Sequence, residues 1–259
     1  MDRSTELRRL AITLHKQPAD LAYLDHLDAA GLKNLRQRFQ NRLIDEFGHV
    51  FEKMAGAGKL APDALSAMLC KKVFGPAITA NMSYFTPVEQ AVKLCKHFDA
   101  NFMADVAREQ LPDRAEKMLN DLPVSLMKDV TRLMAEHGDF HLMGAFTDFL
   151  PEEKMRVLME EVKDPADNLR ISSFAQRKDR IASLAISLPD AKLSVFIRAA
   201  FEADELTREI VLITCEMNEK DQTRMAKLTD SLDASFRKRG LDTAKAMGMD
   251  NRLKAYAAA

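Results

Sequence analysis

The sequence of 259 residues is long enough to bury a substantial core, as one domain or as two small ones. Its 38 basic and 39 acidic residues nearly cancel, which excludes an overall electrostatic field that would attract nucleic acid or an anionic membrane. Glycine and proline are scarce, at nine each, and helix-forming residues dominate the composition. The sequence therefore predicts an all-α fold.

Three cysteines, Cys70, Cys95 and Cys215, are too far apart to predict a disulfide framework or a paired metal spacing. The 15 methionines would be sensitive to oxidation outside a reducing compartment. The N-terminal segment lacks the apolar region of a signal peptide, and the apolar runs are too short to span a bilayer. We therefore expect a bacterial, cytoplasmic protein without membrane insertion.

Residues 1–85 are predicted to form an N-terminal helical part. Apolar residues at steps of three and four between residues 28 and 54 predict one long amphipathic helix, which Gly56 and Gly58 are expected to end. We interpret residues 71–85 as a connector. The apolar positions of the long helix are Leu32, Leu35, Phe39, Leu43, Phe47 and Phe51.

Residues 86–217 contain six prolines, each suited to the first position of a helix, where the missing N–H costs nothing. An acidic residue follows most of them, and the positive N-terminus of a helix favours such a residue. The region is therefore predicted to be a series of short helices. The prolines are Pro87, Pro112, Pro123, Pro151, Pro165 and Pro189.

The predicted helices recur with a nearly constant period. Unit starts at Pro87, Pro112, Gly138, Pro165 and Pro189 give steps of 25, 26, 27 and 24 residues. A unit of about 25 to 27 residues is enough for two short helices and two turns. Short amphipathic helices cannot each bury a face alone, so they must stack. We therefore predict an all-α superhelical stack of αα repeats, with an irregular helical bundle as the alternative.

Residues 218–259 are predicted to form C-terminal capping helices. Asn218 is suited to cap a first helix, which we expect to close at Gly240 after a basic last turn. A last helix is expected over residues 241–256. The small apolar end, residues 256–259, resembles tails that bacterial ATP-dependent proteases read, and a frayed helix end is the alternative.

Four segments within residues 94–200 share leucines and phenylalanines at helical spacing. They are Phe98-Asp-Ala-Asn-Phe102-Met-Ala-Asp-Val106, Met118-Leu-Asn-Asp-Leu122-Pro-Val-Ser-Leu126, Phe149-Leu-Pro-Glu-Glu-Lys-Met155-Arg-Val-Leu158 and Ser187-Leu-Pro-Asp-Ala-Lys-Leu193-Ser-Val-Phe196. This pattern resembles the superhelical repeat of the cytoplasmic N-terminal domain of MgtE-type magnesium transporters and of the related flagellar motor switch protein. The resemblance implies a soluble helical superhelix whose surface serves regulation or docks other proteins. It carries over no ion-binding residue.

The segment Glu136-His137-Gly138-Asp139-Phe140-His141 gathers the sharpest candidate metal ligands. His137 and His141 lie four residues apart with Asp139 between them, so imidazoles and a carboxylate could hold a divalent metal. Gly138 is expected to break the helix, and no glutamate follows the first histidine as a zinc protease requires. The alternative is a solvated corner between two helices.

Three further motifs suggest chemistry but have simpler interpretations. Cys95 and His97 point to different sides of a helix, and Cys95 lies in a core-like pattern. The sequence Gly56-Ala-Gly58-Lys59 lacks the hydroxyl residue of a phosphate-binding loop. The basic clusters at residues 71–72 and 237–239 lack interleaved aromatic residues, so nucleic-acid binding is not expected.

Because no catalytic set emerges, we expect a non-enzymatic interaction module, regulatory or scaffolding, that docks a protein or peptide partner and needs no cofactor. The alternative is a metal- or small-molecule-binding protein, even an enzyme, that uses His137, Asp139 and His141. A homo-oligomeric structural protein is a third hypothesis. Six methionines recur through the repeats and are expected to fill the core, with an exposed Met-lined groove as the alternative. They are Met118, Met127, Met134, Met143, Met155 and Met159.

Overall fold

The computed structural model describes residues 3–14, 16–58 and 61–259, apart from the side chains of Thr5, Ile12, Gln40 and Leu43. Within these ranges the chain contains seventeen α-helices and no β-strand, so the prediction of an all-α fold is confirmed. None of the helices described there combines the length and the apolar character that crossing a bilayer requires. The chain divides into two compact units, Met1–Leu133 and Met134–Ala259.

Eight of the described helices begin in the first unit. They are α1 (Arg3–Thr13), α2 (Ala29–Gly58), α3 (Asp63–Leu69), α4 (Gly75–Ser83), α5 (Val88–Cys95), α6 (Ala100–Glu109), α7 (Pro112–Asp121) and α8 (Val124–Glu136). A 3-10 helix, Pro18–Leu24, lies between α1 and α2, and a π-helical turn, Cys70–Phe74, joins α3 to α4. Alternate helices are neighbours: α2 contacts α4, which contacts α6, while α3 contacts α5, which contacts α7.

The second unit repeats this alternation. Its described helices are α9 (Phe140–Thr147), α10 (Glu152–Leu158), α11 (Pro165–Phe174), α12 (Lys178–Ile186), α13 (Asp190–Ala200), α14 (Asp204–Cys215), α15 (Glu219–Leu232), α16 (Ala234–Ala246) and α17 (Lys254–Ala258). Short 3-10 helices cover Met159–Glu161 and Asp250–Arg252. The odd-numbered helices from α9 to α17 contact one another in succession, and so do the even-numbered helices from α10 to α16.

All six prolines lie at the starts of helices, but only two occupy the first helical position that was predicted for them. Pro112 and Pro165 are the first residues of α7 and α11, and α5, α8, α10 and α13 each start at the residue after a proline. Each of the five predicted unit starts lies within two residues of the start of an odd-numbered helix from α5 to α13. Every predicted unit therefore contains a helix pair, whereas the superhelical course of the stack stays a prediction.

The core of the second unit includes the C-terminal helices. Leu193 and Ile197 of α13 are almost completely buried, as are Leu206 of α14, Met225 of α15 and Leu253, and all belong to one apolar cluster. Residues 218–259 therefore share a core with the helices before them. The division between units, at residues 133 and 134, does not coincide with the expected boundaries after residues 85 and 217.

Side chains from later helices complete the corner between α9 and α10. Arg180 of α12 donates hydrogen bonds from Nη1 to the carbonyl oxygen of Asp148 (2.6 Å) and from Nη2 to that of Leu150. In return the carboxylate of Asp148 accepts from the N–H groups of Gln176 (3.0 Å) and Arg177 (2.9 Å) at the start of α12. These bonds satisfy carbonyl and N–H groups that a helix terminus leaves unpaired.

Three further corners of the second unit are completed in the same way. Arg224 of α15 donates to the carbonyl oxygen of Leu188 at 2.6 Å, between α12 and α13. Arg239 of α16 donates to that of Phe201 at 2.6 Å, after α13. Arg252 donates to that of Cys215 at 3.2 Å, at the end of α14. We call these three residues, together with Arg180, the corner arginines.

The expected helix end at Gly240 is wrong. The helix ends at Leu232, because Asp233 is extended (φ −164°, ψ 123°) and its carboxylate accepts a hydrogen bond from the N–H of Ser235 at 2.8 Å, which caps α16. Gly240 lies buried inside α16, facing Phe201. By contrast, α2 ends at Gly58, so the predicted end of the long helix is confirmed.

Candidate docking surfaces

The two histidines proposed as metal ligands are separated by a helix break, with His137 in the turn after α8 and His141 in α9. α8 ends at Glu136, and Gly138 adopts φ +74°, a left-handed conformation that favours glycine. The N–H of Gly138 donates to the carbonyl oxygen of Ala135 (3.0 Å) in a helix-ending Schellman turn. His137 is exposed at this turn. His141 of α9 is half-buried, and its ring makes an edge-on contact with the ring of Phe174. The expected helix break at Gly138 is therefore confirmed.

Metal-ligating residues do not gather elsewhere in the described chain. In residues 3–14, 16–58 and 61–259, no group of three or more His, Cys, Asp or Glu side chains is arranged to hold a metal ion. Cys70, Cys95 and Cys215 are buried thiols. Burial raises the pKa of Cys95 to about 11 and also raises the pKa of the other two, which disfavours a reactive thiolate.

The remaining motifs are structural or fall outside the description. Gly56 and Gly58 form the last turn of α2, and Lys59 lies outside the described residues. The basic cluster at residues 237–239 is part of α16, where Arg239 completes a corner. The six methionines of the repeats are buried or half-buried, so the prediction that they fill the core is confirmed.

The long helix α2 buries one apolar face and exposes another. Its buried face contains Ile44, Phe51 and Ala55 and lies towards α4. At about 100° per residue, a second set of apolar residues lies about 100° away around the helix axis. This set, which we call the α2 face, is Phe39, Phe47 and Val50, exposed by 46%, 42% and 39%.

Charges of both signs surround the α2 face. Phe39 and Leu35 line a shallow open depression together with Arg38, Arg42, Asp45 and Glu46. Arg42 and Glu46 are themselves an exposed ion pair, 3.6 Å apart. The surroundings of the α2 face therefore indicate no preference for a partner of either charge.

The helix α3 and its π-helical turn expose a second apolar set. Ser66, Ala67 and Cys70 are buried, and α3 contacts α5. The opposite side carries the α3 face, which is Leu65, Met68 and Val73, exposed by 44%, 50% and 66%. In the turn the N–H of Gly75 bonds to the carbonyl oxygen of Cys70, five residues back, and this wider turn brings Val73 towards the side of Leu65.

The sequence alone indicates only part of these two exposed apolar faces. The predicted stripe of α2 treated Phe39, Phe47 and Phe51 as one core-facing set, yet only Phe51 is buried. The additional apolar residues Ile44 and Val50 make the apolar surface of α2 too wide for one neighbouring helix, and this excess was readable from the sequence. The exposure of Met68 was not readable from the sequence, because it depends on which helices cover α3.

Comparison of the chain with protein-family models, with curated proteins and with solved structures gave no match.

Proposed function

We propose that this protein is a cytoplasmic, non-enzymatic interaction module that docks a protein partner through the exposed apolar faces of its first unit. One observation carries the proposal. Of the eight large apolar side chains that are exposed in the described chain, seven lie between residues 23 and 73. Apolar residues scattered singly over a surface are normal, whereas their concentration in one region is typical of an interaction site.

The arrangement of these residues supports docking of a helix or an extended peptide. The α2 face and the α3 face each consist of apolar side chains on one side of a helix, which is the kind of surface that an amphipathic partner helix covers. Covering them would remove apolar area from water, and that removal is the main driving force of protein association.

Affinity capture with substituted baits tests the proposal. The intact protein, immobilised in a lysate of its native cells, should retain a stoichiometric partner. The double substitution Phe39→Glu/Phe47→Glu, or Met68→Glu alone, should reduce that recovery by about tenfold or more, because a charge would then be buried at the contact. Val195→Glu is the matched control, since Val195 is an exposed apolar residue of the second unit.

Two results would contradict the proposal. The first is equal recovery of the partner by the α2-face and α3-face baits and by the intact protein. The second is the absence of any stoichiometric partner together with turnover in an activity screen. Circular dichroism of each variant must match that of the intact protein, so that lost binding is not lost folding.

The alternative metal- or small-molecule-binding function has no observation in its favour within the described chain. His137 lies in the turn after α8 and His141 in α9, as described above. Metal analysis of protein purified without a histidine tag separates the two hypotheses. Bound zinc or magnesium near one equivalent, with a rise in thermal stability on adding the ion, would favour the alternative, because a ligand that binds only the native state must stabilise it.

A further inference from the structure

Basic residues predominate at the C-terminal end of the α3 face, whereas charges of both signs surround the α2 face. The acidic residue of α3, Asp63, lies in its first turn, at the other end of the helix. Lys71 and Lys72 follow Met68 in the π-helical turn, and both are exposed. Lys72 lies four residues after Met68 and continues the exposed side of α3. A helix with a purely solvated outer side would carry polar residues where α3 carries Leu65 and Met68.

An ion pair places more basic residues beside this turn. Lys71 Nζ lies 2.5 Å from the Oδ2 of Asp99, which caps α6 by accepting a hydrogen bond from the N–H of Phe102 at 2.9 Å. The segment just before Asp99 is thereby held next to the turn, and it exposes Lys96 and His97. The carboxylate of Asp99 neutralises one of these charges by pairing with Lys71, which leaves the exposed Lys72 and Lys96 as an excess of basic charge.

We propose that the α3 face binds an acidic amphipathic helix of a partner protein. Apolar side chains of that helix would cover Leu65, Met68 and Val73, and its carboxylates would pair with Lys72 and Lys96. This inference rests on the proposed docking function and specifies the chemistry of the partner. Its basis is charge complementarity, because apolar residues that end in a mainly basic turn favour a partner that is apolar and acidic.

An anionic membrane would match the same charges, but the observations favour a helix. Clusters of about four to eight basic residues are typical of anionic-membrane binding, so the few lysines here give only a weak membrane contact. The α3 face also lacks the exposed aromatic side chains that anchor proteins at a bilayer interface. Leu65 and Met68, three residues apart, offer instead the spacing of a helix-to-helix contact.

Fluorescence anisotropy with the full-length protein tests this inference. The probe is a fluorescein-labelled amphipathic peptide about four helical turns long, with leucines on one side and glutamates beside them. A second peptide has lysines in place of the glutamates. The acidic peptide is expected to bind at least about tenfold more tightly than the basic one, and raising the salt concentration should weaken it.

Charge reversal locates the binding site. Lys72→Glu and Lys96→Glu should each weaken binding of the acidic peptide by about fivefold or more, and Met68→Ser should do the same without changing the charge. Lys220→Glu is the control, because Lys220 is an exposed lysine of the second unit, and its affinity should stay within about twofold. Circular dichroism confirms folding of each variant.

Three outcomes would overturn the inference: no binding of the acidic peptide, equal binding of the two peptides, or sedimentation of the protein with phosphatidylserine vesicles in place of peptide binding. The docking function itself would survive them if the capture experiment still retained a partner that depends on Phe39 and Phe47. If capture fails as well, both proposals fail.

Discussion

At Gly144, the helices α9 and α11 approach too closely for any side chain. A Cβ atom at this buried position would overlap the carbonyl oxygen of Ile171 and lie 2.7 Å from the Cβ of Phe174. We predict that Gly144→Ala lowers the free energy of unfolding by about 3 kcal/mol, because backbone atoms must move to admit the methyl group. Urea denaturation of both proteins measures the difference.

Gly240 provides the control within the same unit. A Cβ atom there would lie 3.6 Å from the nearest atoms of Phe201 and Tyr256, which is ordinary contact. Gly240→Ala should therefore leave the stability unchanged or raise it by up to about 1 kcal/mol, because alanine favours the helix. If both substitutions destabilise the protein equally, the close approach at Gly144 is not the cause.

Ionisation of Tyr84 should lower the stability of the protein at alkaline pH. Its hydroxyl oxygen accepts a hydrogen bond from the N–H of Leu111 at 2.6 Å, and burial raises the pKa of Tyr84 to about 12. Below pH about 10 both states keep the proton and the contribution to stability is complete; above it the unfolded chain loses the proton first. We therefore predict that the free energy of unfolding falls by about 2 to 3 kcal/mol between pH about 10 and about 12.

The substitution Tyr84→Phe tests this assignment. The variant should lose less stability at alkaline pH than the intact protein. Part of the alkaline decrease should remain, because burial also raises the pKa of Tyr256. At neutral pH the variant should lose about 1 kcal/mol, because the N–H of Leu111 loses its acceptor. An alkaline decrease of the same size in the variant would show that Tyr84 does not cause it.

The corner arginines act between elements, each joining a later helix to an earlier corner. We predict that Arg180→Met lowers the free energy of unfolding by about 2 to 3 kcal/mol, because carbonyl groups after α9 lose charged donors. Amide hydrogen exchange should accelerate at that corner. Arg177→Met is the control: Arg177 and Asp179 form an exposed pair, 2.7 Å apart, whose loss should leave the stability nearly unchanged.

Truncation of two phenylalanines of α2 should change the stability by very different amounts. Phe51 is buried on the side of α4, so Phe51→Ala should cost about 3 to 5 kcal/mol. Phe47, four residues earlier, belongs to the exposed α2 face, so Phe47→Ala should change stability by no more than about 0.5 kcal/mol. Thermal denaturation compares the two. A large loss for Phe47→Ala would mean that Phe47 stabilises the fold and is not free to dock a partner.

At the scale of the whole molecule, neither exposed apolar face alone is large enough for a stable dimer. If a whole aromatic side chain offers about 200 Å², the α2 face and the α3 face each expose roughly 250 Å² of apolar area. A stable interface needs about 800 Å² on each partner, of which roughly 500 Å² is apolar. We therefore predict that light scattering gives the mass of one chain, 29.2 kDa, at micromolar concentration. A doubled mass would instead support the homo-oligomer hypothesis.

Local chemistry made much of the fold predictable. Pro112 and Pro165 begin helices because proline at the first position loses no hydrogen bond, and this depends only on neighbouring residues. Gly138 ends a helix because its φ of +74° suits glycine alone. Such local signals also predicted the positions of the helix pairs, because the spacing between the unit starts can be read from the sequence.

Predictions that depended on distant neighbours were less successful. Gly240 stays helical because α16 packs it against Phe201, nearly forty residues away in sequence, whereas the actual break, at Asp233, offers a capping signal that could have been read. The apolar excess of α2 was readable from the sequence, but which of its residues are exposed was not, for the same reason. Whether Phe47 faces water or α4 depends on which helices the fold brings beside α2.

The corner arginines also fix the order in which the corners of the second unit can be completed during synthesis. Arg180, Arg224, Arg239 and Arg252 reach back to corners 32, 36, 38 and 37 residues earlier in the chain. A ribosome therefore makes each corner before it makes the arginine that completes it, and until then water must satisfy the waiting carbonyl groups. Each helix pair thus matures only when later residues emerge, and α16 and Arg252 complete the corners of α13 and α14 last.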